Sequence, residues 1–348
     1  MIIDVTGFGW SGSGAVLDLL CEYKETYDTG GFEFSILHNV DGIMDLEYKL
    51  MQKHCRIFDS DIAIKRFLHL VQERYDKRGP LKNIAYPWCK DYVERITGIE
   101  FLSHSYYDTV YIYGIKDFIY KIYNKLILTL FSNSVSKKIV NTEFVKSLKI
   151  YNVNTKYLSY KPENFYTETQ TLMHKLVDFM NVDKSKFFLT DHMLSPDNPS
   201  LFFKFLNDEV KCIIVRRDPR DTYILAKEIY KGKIPVPVET IDKFIWFYKK
   251  TIEETIVEDS DRILNVKFED LVYNYDKTKS KIEDFCGLKE HVSPMKKFNP
   301  NSSIHNTMLY KKYTDYHDDI AKIEYQLKKS LYNFELYNIK PDLNKKSF

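Results

Sequence analysis

A glycine- and serine-rich loop near the start of the chain is the pattern that most directly indicates chemistry. The loop runs from Gly7 to Gly14 as Gly-Phe-Gly-Trp-Ser-Gly-Ser-Gly, after the apolar run Ile2 to Thr6 and before the apolar face of Ala15 to Leu20. This order predicts a strand, a loop and a helix. Backbone N–H groups of such a loop converge with the helix N-terminus on a phosphate, and small side chains let the anion approach. The predicted phosphate-binding residues are Gly9, Trp10, Ser11, Gly12, Ser13 and Gly14.

Two other phosphate-binding patterns overlap with this loop. Gly7, Gly9 and Gly12 fit the Gly-x-Gly-x-x-Gly fingerprint of a dinucleotide site. In that case Asp28 or Glu33 would be the acid that binds the ribose. The loop also fits the first half of an ATP-binding Walker A motif, but a serine and a glycine stand where that motif has Lys and Ser or Thr. The loop alone therefore leaves the kind of phosphate open.

A second anion-binding pattern lies far downstream, where Arg216 to Asp221 reads Arg-Arg-Asp-Pro-Arg-Asp. It follows a predicted buried strand, Lys211 to Val215, and precedes a helical pattern. An arginine at the carboxyl end of a strand can bind a phosphate through two N–H groups, and the aspartate and proline suit the first turn of a helix. Arg217 is therefore predicted to bind phosphate. The alternative role for this arginine is a structural ion pair with Glu269 or Asp270.

The loop and the arginine motif, together with two later blocks, resemble the PAPS-dependent sulfotransferase family, in particular its bacterial carbohydrate-type members. The family combines a strand followed by Gly-x-x-x-Ser-Gly-Ser with a distant strand followed by Arg-Asp-Pro-Arg-Asp. The third block, Ile263 to Val272, resembles the family's strand that ends in (Tyr/Phe)-Glu-Asp-Leu. The fourth block, Ser302 to Thr307 with Lys311 and Lys312 behind it, is similar to the late loop that closes on the 3′-phosphate.

This resemblance implies transfer of a sulfuryl group from 3′-phosphoadenosine 5′-phosphosulfate (PAPS) to a hydroxyl of an acceptor, expected to be a saccharide, without a metal. It also implies an α/β, three-layer, P-loop-like fold with a central parallel sheet. By the same likeness, Ser11 to Gly14 would face the 5′-phosphosulfate, and Arg217 would hold the 3′-phosphate with Arg220 near it. The late loop would contribute Asn306, Thr307, Lys311 and Lys312.

Two positions depart from the family pattern. Trp10 stands where many members have a Lys or Arg that neutralises the leaving phosphate, and Leu225 stands where a serine usually follows the key arginine. Either another cation takes over, with Lys311, Lys312 and Arg220 as candidates, or the chain is a degenerate module that binds the nucleotide without turnover. The glycine fingerprint alone would instead indicate a Rossmann-type NAD-dependent oxidoreductase, which leaves the arginine motif unexplained.

Transfer to a hydroxyl also needs a general base at the same edge of the sheet. Asp191 and His192 follow a predicted buried strand, and His192 is the first candidate base. Glu33, after a Gly-Gly-Phe segment, is the second. The structural alternatives are a loop histidine or a helix-capping pair for Asp191 and His192, and a cross-strand or surface carboxylate for Glu33. His38 and Asp41 have no suitably spaced partners and indicate a turn, so no metal site is predicted.

Composition restricts the remaining classes of function. Lys plus Arg total 51 against 49 Asp plus Glu, a formal net charge of +2, which gives no overall field of the kind that nucleic-acid-binding proteins have. The five cysteines show no Cys-x-x-Cys spacing, which argues against a zinc knuckle or a disulfide scaffold. The N-terminus lacks a signal-like basic segment, and no run reaches the roughly 20 apolar residues of a membrane span. We therefore expect a cytoplasmic protein.

The pattern also predicts how the chain is divided. Residues 1–40 and 181–335 carry the four motifs and the predicted parallel strands, and form the expected α/β core. Residues 41–180 are rich in Lys, Tyr and Ile with helical spacing, and predict a mainly helical insertion that shapes the acceptor side. The 27 tyrosines fit either sugar stacking or a half-buried core. Residues 336–348 are predicted to be a C-terminal tail.

Overall fold

A computed structural model describes residues 1–53, 56, 58–104, 115–132, 148, 153–233, 236–342 and 345. The fold is α/β. Its strands, in chain order, are β1 (Ile2–Gly7), β2 (Thr26–Tyr27), β3 (Ile99–Ser103), β4 (Asn154–Leu158), β5 (Phe187–Asp191), β6 (Val210–Arg216) and β7 (Ile263–Lys267). Its α-helices are α1 (Ser13–Leu20), α2 (Ile43–Glu47), α3 (Asp59–Leu70), α4 (Ala85–Ile96), α5 (Ile115–Ser132), α6 (Phe165–Met180), α7 (Pro219–Ile224), α8 (Ile241–Tyr248), α9 (Phe268–Tyr273), α10 (Tyr275–Cys286), α11 (Pro300–Ser303) and α12 (His317–Gln326).

Five parallel strands form the central sheet, in the order β2-β5-β1-β6-β7. The middle strand, β1, pairs with β5 at Ile2↔Phe188 and with β6 at Ile2↔Val210. All residues of β1 are buried, as expected of a central strand in a parallel sheet. The predicted α/β class with a central parallel sheet is confirmed. Because the strands are parallel, their carboxyl ends meet at one edge of the sheet.

The chain connections make β1 a topological switch point. From β1 the chain passes through α1 to β2, which pairs with β5 on one side of β1. From β5 it then continues to β6, which lies on the other side. In open parallel sheets, ligands bind in the crevice that such a reversal creates at the carboxyl ends of the strands.

One charged residue, Asp4, lies within the otherwise mainly apolar centre of β1 and is fully buried. Its carboxylate accepts hydrogen bonds from Thr190 Oγ1 at 2.8 Å, from the Met193 N–H at 2.9 Å and from the Leu194 N–H at 3.0 Å. Burial outweighs these bonds and raises the pKa of Asp4 to about 6. The bonds fix the course of the chain directly after β5, where His192 lies.

The chain divides into two compact units. The first unit contains the five-stranded sheet and comprises Met1–Asn39, Tyr75–Ala85 and Thr169–Phe348. The second unit comprises Val40–Arg74 and Tyr86–Glu168. Besides helices, the second unit holds an antiparallel pair of strands, β3 and β4. Four of the five residues of β3 are exposed, so this strand has no buried face.

None of the described helices combines the length and the apolar character that crossing a membrane requires.

Gly12→Ala is expected to destabilise the fold, because Gly12 has a φ of +91° and a Cβ there would lie 2.6 Å from the Phe268 ring. We expect the free energy of unfolding, measured by urea denaturation, to fall by about 1–3 kcal/mol. Gly14→Ala is the matched control, since a Cβ at Gly14 meets no atom within 4 Å. It should leave stability unchanged or raise it by about 0.5 kcal/mol. Equal stability of Gly12→Ala and the wild type would contradict the close packing of the loop on Phe268.

Candidate active site

The carboxyl ends of four neighbouring strands bring the sequence motifs together. β1 ends at Gly7, where the loop begins, β6 ends at Arg216, β7 ends at Lys267 and β5 ends at Asp191. The register pairs Gly7 of β1 with Val215 of β6. The loop, the arginine motif, the Phe-Glu-Asp block and the Asp-His pair therefore share one edge of the sheet.

The loop after β1 has the backbone of an anion cradle. Trp10 and Gly12 both have positive φ angles, +67° and +91°. Ser11 is turned inward, its N–H donates to the Phe8 carbonyl at 2.8 Å, and a Cβ at Gly7 would collide with its Oγ. That Oγ is buried and has no hydrogen-bond partner. Because α1 begins at Ser13, the first N–H groups of the helix have no acceptor one turn earlier, although that of Ala15 donates to the Gly12 carbonyl at 3.1 Å. The Ser11 hydroxyl and the N–H groups of Ser13 and Gly14 lie at the position where an anion would bind.

Trp10 supplies an aromatic surface at the position where the family pattern has a cation. Its ring stacks on Tyr230 with centroids 3.3 Å apart and an interplanar angle of 24°. Burial raises the pKa of Tyr230, and the charge of Arg217 opposes that rise, so the phenol lies within electrostatic reach of Arg217. The loop thus carries one of two stacked rings, and the other ring lies within electrostatic reach of Arg217.

Arg217 is buried with few of its donors satisfied. Its guanidinium stacks on the Phe268 ring at 4.6 Å, Nη1 donates to the Trp10 carbonyl at 3.5 Å, and Nη2 donates to the Asn306 carbonyl. Nε is buried without a partner. Burial lowers the pKa of Arg217, and the charges of Asp221, Glu269 and Asp218 oppose that fall. An anion that occupied this site would supply an acceptor for the unpaired Nε.

The alternative ion pair of Arg217 with the Glu-Asp block does not form. Within the described part of the chain, the ion pairs of this region join Arg220 to Asp218 and to Glu324. Glu269 instead accepts from the Asp218 N–H at 2.9 Å, and Asp270 accepts from the Tyr332 hydroxyl at 2.8 Å.

Arg220 has a different environment from Arg217. It makes a two-point contact with Asp218, Nε to Oδ1 at 3.0 Å and Nη2 to Oδ2 at 2.7 Å, and Nη1 donates to Glu324 at 2.8 Å. Nη2 also donates to the Tyr332 carbonyl, and the guanidinium lies over the Tyr310 ring at 4.3 Å. Asp218 itself caps α7 by accepting from the Arg220 N–H. Protein groups therefore contact the Arg220 guanidinium on three sides, and these contacts stabilise the arginine motif.

The late block contributes backbone and hydroxyl groups near Arg217, and its lysines lie elsewhere. The Asn306 carbonyl accepts from Arg217, and Thr307 Oγ1 is 2.6 Å from the Tyr273 hydroxyl. Lys311 and Lys312 are exposed. Lys311 lines a cavity of about 420 Å³ whose wall includes Arg220, Tyr310, Tyr332 and Tyr337 but none of the loop residues 7–14.

The three predicted catalytic side chains lie together. Potential ligand atoms of Glu33, Asp191 and His192 all fall within 4.8 Å of one another. A parallel bridge between Glu33 and Asp191, with the Phe34 N–H donating to the Asp191 carbonyl at 3.0 Å, brings the segment after β2 against the end of β5. Glu33 is exposed, and the other two are half-buried. The carboxylate oxygens and imidazole nitrogens of these residues are also of the kinds that coordinate metal ions. The spacing of the residues in the sequence did not predict this arrangement.

His192 is held as an imidazolium. Nδ1 lies 2.6 Å from Asp191 Oδ1 and Nε2 lies 3.1 Å from the Gly7 carbonyl, so both ring nitrogens face acceptors. Burial alone would lower the pKa of His192, but the hydrogen bond and charge of Asp191, with a further contribution from Asp4, raise it to about 9. A protonated imidazole cannot take a proton from an acceptor at neutral pH. His192 is therefore engaged by Asp191 and the Gly7 carbonyl beside the start of the loop, and Glu33 remains as the candidate base.

His38 and Asp41 serve separate structural roles. His38 Nε2 donates to the His192 carbonyl at 2.9 Å. Asp41, with a φ of +67°, forms an ion pair with Arg66 at 2.7 Å, and its N–H donates to Asp45. The first of these contacts helps to fix His192, which itself has a φ of +54°.

Several residues of the site were not singled out from the sequence. Phe268 joins the loop to Arg217, because Gly12 packs against its ring and Arg217 lies over it. The sequence did contain a signal for Phe268, because this residue is the aromatic member of the Phe-Glu-Asp-Leu block. Tyr230 carried no such signal. Leu225, where the family has a serine, is buried in an apolar cluster, so this position contributes to the core.

Comparison of this chain with models of known protein families, with curated proteins and with solved structures finds no match.

Asp191→Asn should lower the pKa of His192 from about 9 toward the ordinary range of histidine, because it removes the charge that holds the proton. The measurement is an NMR titration of the His192 ring resonances, assigned with His192→Gln. Asp197→Asn, at an exposed acid a few residues further along, is the control and should leave the titration midpoint unchanged. A midpoint that does not move in Asp191→Asn would contradict the assigned ion pair.

Proposed function

We propose that this protein is a sulfotransferase that moves a sulfuryl group from PAPS to a hydroxyl of a saccharide, on a three-layer, P-loop-like fold. The observation that carries the proposal is the buried Arg217, which has an unpaired Nε and no ion-pair partner in the described chain, beside a loop whose Ser11 Oγ is also buried and unpaired. Buried donors without acceptors are rare in folded proteins. Two such donors at the switch point of a parallel sheet fit a ligand with two separate anionic groups.

The two anion sites match the two ends of the donor nucleotide. The Gly7 to Gly14 loop and the first turn of α1 would bind the 5′-phosphosulfate through N–H groups. Arg217 would bind the 3′-phosphate, with the Asn306 to Thr307 segment beside it. Trp10 and Tyr230 offer stacked rings next to these groups for an apolar part of the nucleotide.

The reaction needs charge stabilisation and one proton acceptor. The acceptor oxygen forms a bond to sulfur while the bond from sulfur to the 5′-phosphate oxygen breaks, and negative charge develops on that leaving oxygen. The N–H groups of the loop and of the first turn of α1 would stabilise this charge, while His192, held protonated by Asp191, donates to the Gly7 carbonyl at the start of the loop. Glu33 takes the proton of the acceptor hydroxyl.

The saccharide acceptor and the cytoplasmic setting are inferred from the chain as a whole. The carbohydrate-type members of the resembled family act on sugars, and the second unit exposes rings such as Tyr48 and Tyr160, which can stack on a sugar. Cys21, Cys89, Cys212 and Cys286 are free thiols, which fits a reducing compartment, and Cys55 lies outside the described residues.

The strand order favours this function over an NAD-dependent oxidoreductase. The usual dinucleotide-binding order places β2 directly beside β1. Here β5 lies between them. Asp28, a candidate ribose acid, accepts instead from the N–H groups of Gly30 and Gly31 within its own turn.

Adenosine 3′,5′-bisphosphate, the desulfated donor product, should bind the full chain, and Arg217→Ala should weaken that binding by about 2–4 kcal/mol because it removes the charged partner of a phosphate. Isothermal titration calorimetry measures both. Arg262→Ala is the matched control, since Arg262 donates to the Val210 carbonyl just before β7, at the opposite edge of the sheet. Unchanged affinity in Arg217→Ala would refute the donor-site assignment, and no binding by the wild type would refute the proposed function.

Glu33→Gln should lower turnover by about 10²–10⁴-fold while leaving nucleotide affinity unchanged, because it removes the proton acceptor and keeps the shape of the side chain. The assay follows transfer of labelled sulfate to a panel of saccharides. Asp183→Asn, at an exposed acid before the amino end of β5, is the control and should keep full activity. Full activity in Glu33→Gln would rule out Glu33 as the base, and nucleotide binding without any transfer by the wild type would favour the degenerate binding module.

A further inference from the structure

Two carboxyl groups are buried beside Arg217 without being used as its partners. Asp221 and Glu269 are both fully buried. Each has one satisfied oxygen: Asp221 Oδ2 accepts from the Met308 N–H at 2.8 Å, and Glu269 Oε1 accepts from the Asp218 N–H at 2.9 Å. Their other oxygens, Oδ1 and Oε2, have no partner, and the same is true of Arg217 Nε.

Two buried carboxylates at one site cannot both carry a charge cheaply. Burial raises the pKa of both carboxyls into the neutral range, Asp218 raises them further, and Arg217 opposes the rise. Both carboxyls are therefore easier to protonate near neutral pH than exposed carboxyls are, and the charge of Asp221 adds to the rise at Glu269.

Two further charged groups act on Asp221 with opposite signs, since Asp218 raises its pKa and Arg220 lowers it. Burial raises the pKa of each nearby tyrosine, so these phenols stay neutral. The groups that face the pair are Arg217, Asp218, Arg220, Tyr248 of α8, Tyr273 of α9 and Tyr310 of the 3₁₀ turn Leu309–Lys311.

A phosphate dianion on Arg217 would reverse the role of that arginine toward the pair. The guanidinium charge, which favours the ionised carboxyls, would be cancelled, and a second negative charge would be added. A protonated carboxyl also offers an O–H donor where a carboxylate would repel the phosphate. The unpaired Oδ1 and Oε2 atoms are the places where such protons would reside.

We propose that binding of a phosphate group at Arg217 is coupled to the uptake of one proton from solvent by the Asp221–Glu269 pair. This inference rests on the proposed function, since it takes Arg217 as the phosphate ligand. The proton moves from water to a carboxylate oxygen, and no other reactant is needed. Affinity for the nucleotide should consequently fall as the pH rises above neutrality, by up to about tenfold per pH unit.

The test is calorimetry of adenosine 3′,5′-bisphosphate binding to the full chain at about pH 7.5 in two buffers of different ionisation enthalpy, HEPES and Tris. The difference in observed enthalpy gives the number of protons exchanged, for which we expect an uptake on the order of one. Asp221→Asn and Glu269→Gln keep the shape of each side chain and should each reduce the uptake by at least half. Glu283→Gln, at a half-buried glutamate of α10, is the control and should leave the uptake unchanged.

The outcomes separate this inference from the function on which it rests. Nucleotide binding with equal enthalpy in the two buffers would overturn the proton coupling and leave the proposed donor site standing. Undiminished uptake in both Asp221→Asn and Glu269→Gln would overturn the assignment to this pair. If either variant does not fold, the pH dependence of wild-type affinity decides, and a flat profile above neutrality overturns the coupling. Absence of any binding heat or thermal shift would overturn the proposed function itself.

Discussion

At Arg217 a guanidinium ion leaves water without gaining a carboxylate partner, and the surrounding groups have to compensate for that loss. Desolvation of such an ion costs several kcal/mol even after local relaxation. The compensation comes from the Phe268 ring under the guanidinium plane, from the carbonyls of Trp10 and Asn306, and from the charges of nearby carboxyl groups that form no ion pair with it. It is incomplete, because Nε stays unpaired. An anionic ligand that paired with Nε would complete this compensation, and the free energy gained in that step would favour ligand binding.

The parallel sheet determines which residues can share that anion site. The register that pairs Gly7 of β1 with Val215 of β6 places the loop and the arginine motif next to each other. Phe268 follows β7, the next strand along, and its ring fills the space between Gly12 and Arg217. On the other side of β1, the end of β5 brings His192 within 3.1 Å of the Gly7 carbonyl. Each of these contacts depends on strands that end at the same edge.

Strand positions were predictable from the sequence because buried parallel strands are short apolar runs that end in polar or glycine residues. β1 and β6 lie within one residue of the predicted runs Ile2 to Thr6 and Lys211 to Val215 at each end. β7 covers only the first five residues of the block Ile263 to Val272, because a helix begins at Phe268. The β3–β4 pair could not be predicted, because β3 buries neither face.

Side-chain roles were less predictable than strands, and the two arginines show why. Arg217 and Arg220 stand in the same motif, and sequence alone assigned both to the nucleotide. Their difference comes from residues far along the chain: Glu324 and the Tyr332 carbonyl bind Arg220, and neither reaches Arg217. The same reasoning applies to His192, whose pattern suggested a base. Its ionisation is set by Asp191 together with the buried Asp4, and the latter comes beside it only through the pairing of β1 with β5. Tertiary neighbours thus turn a candidate base into a cation that is paired with Asp191.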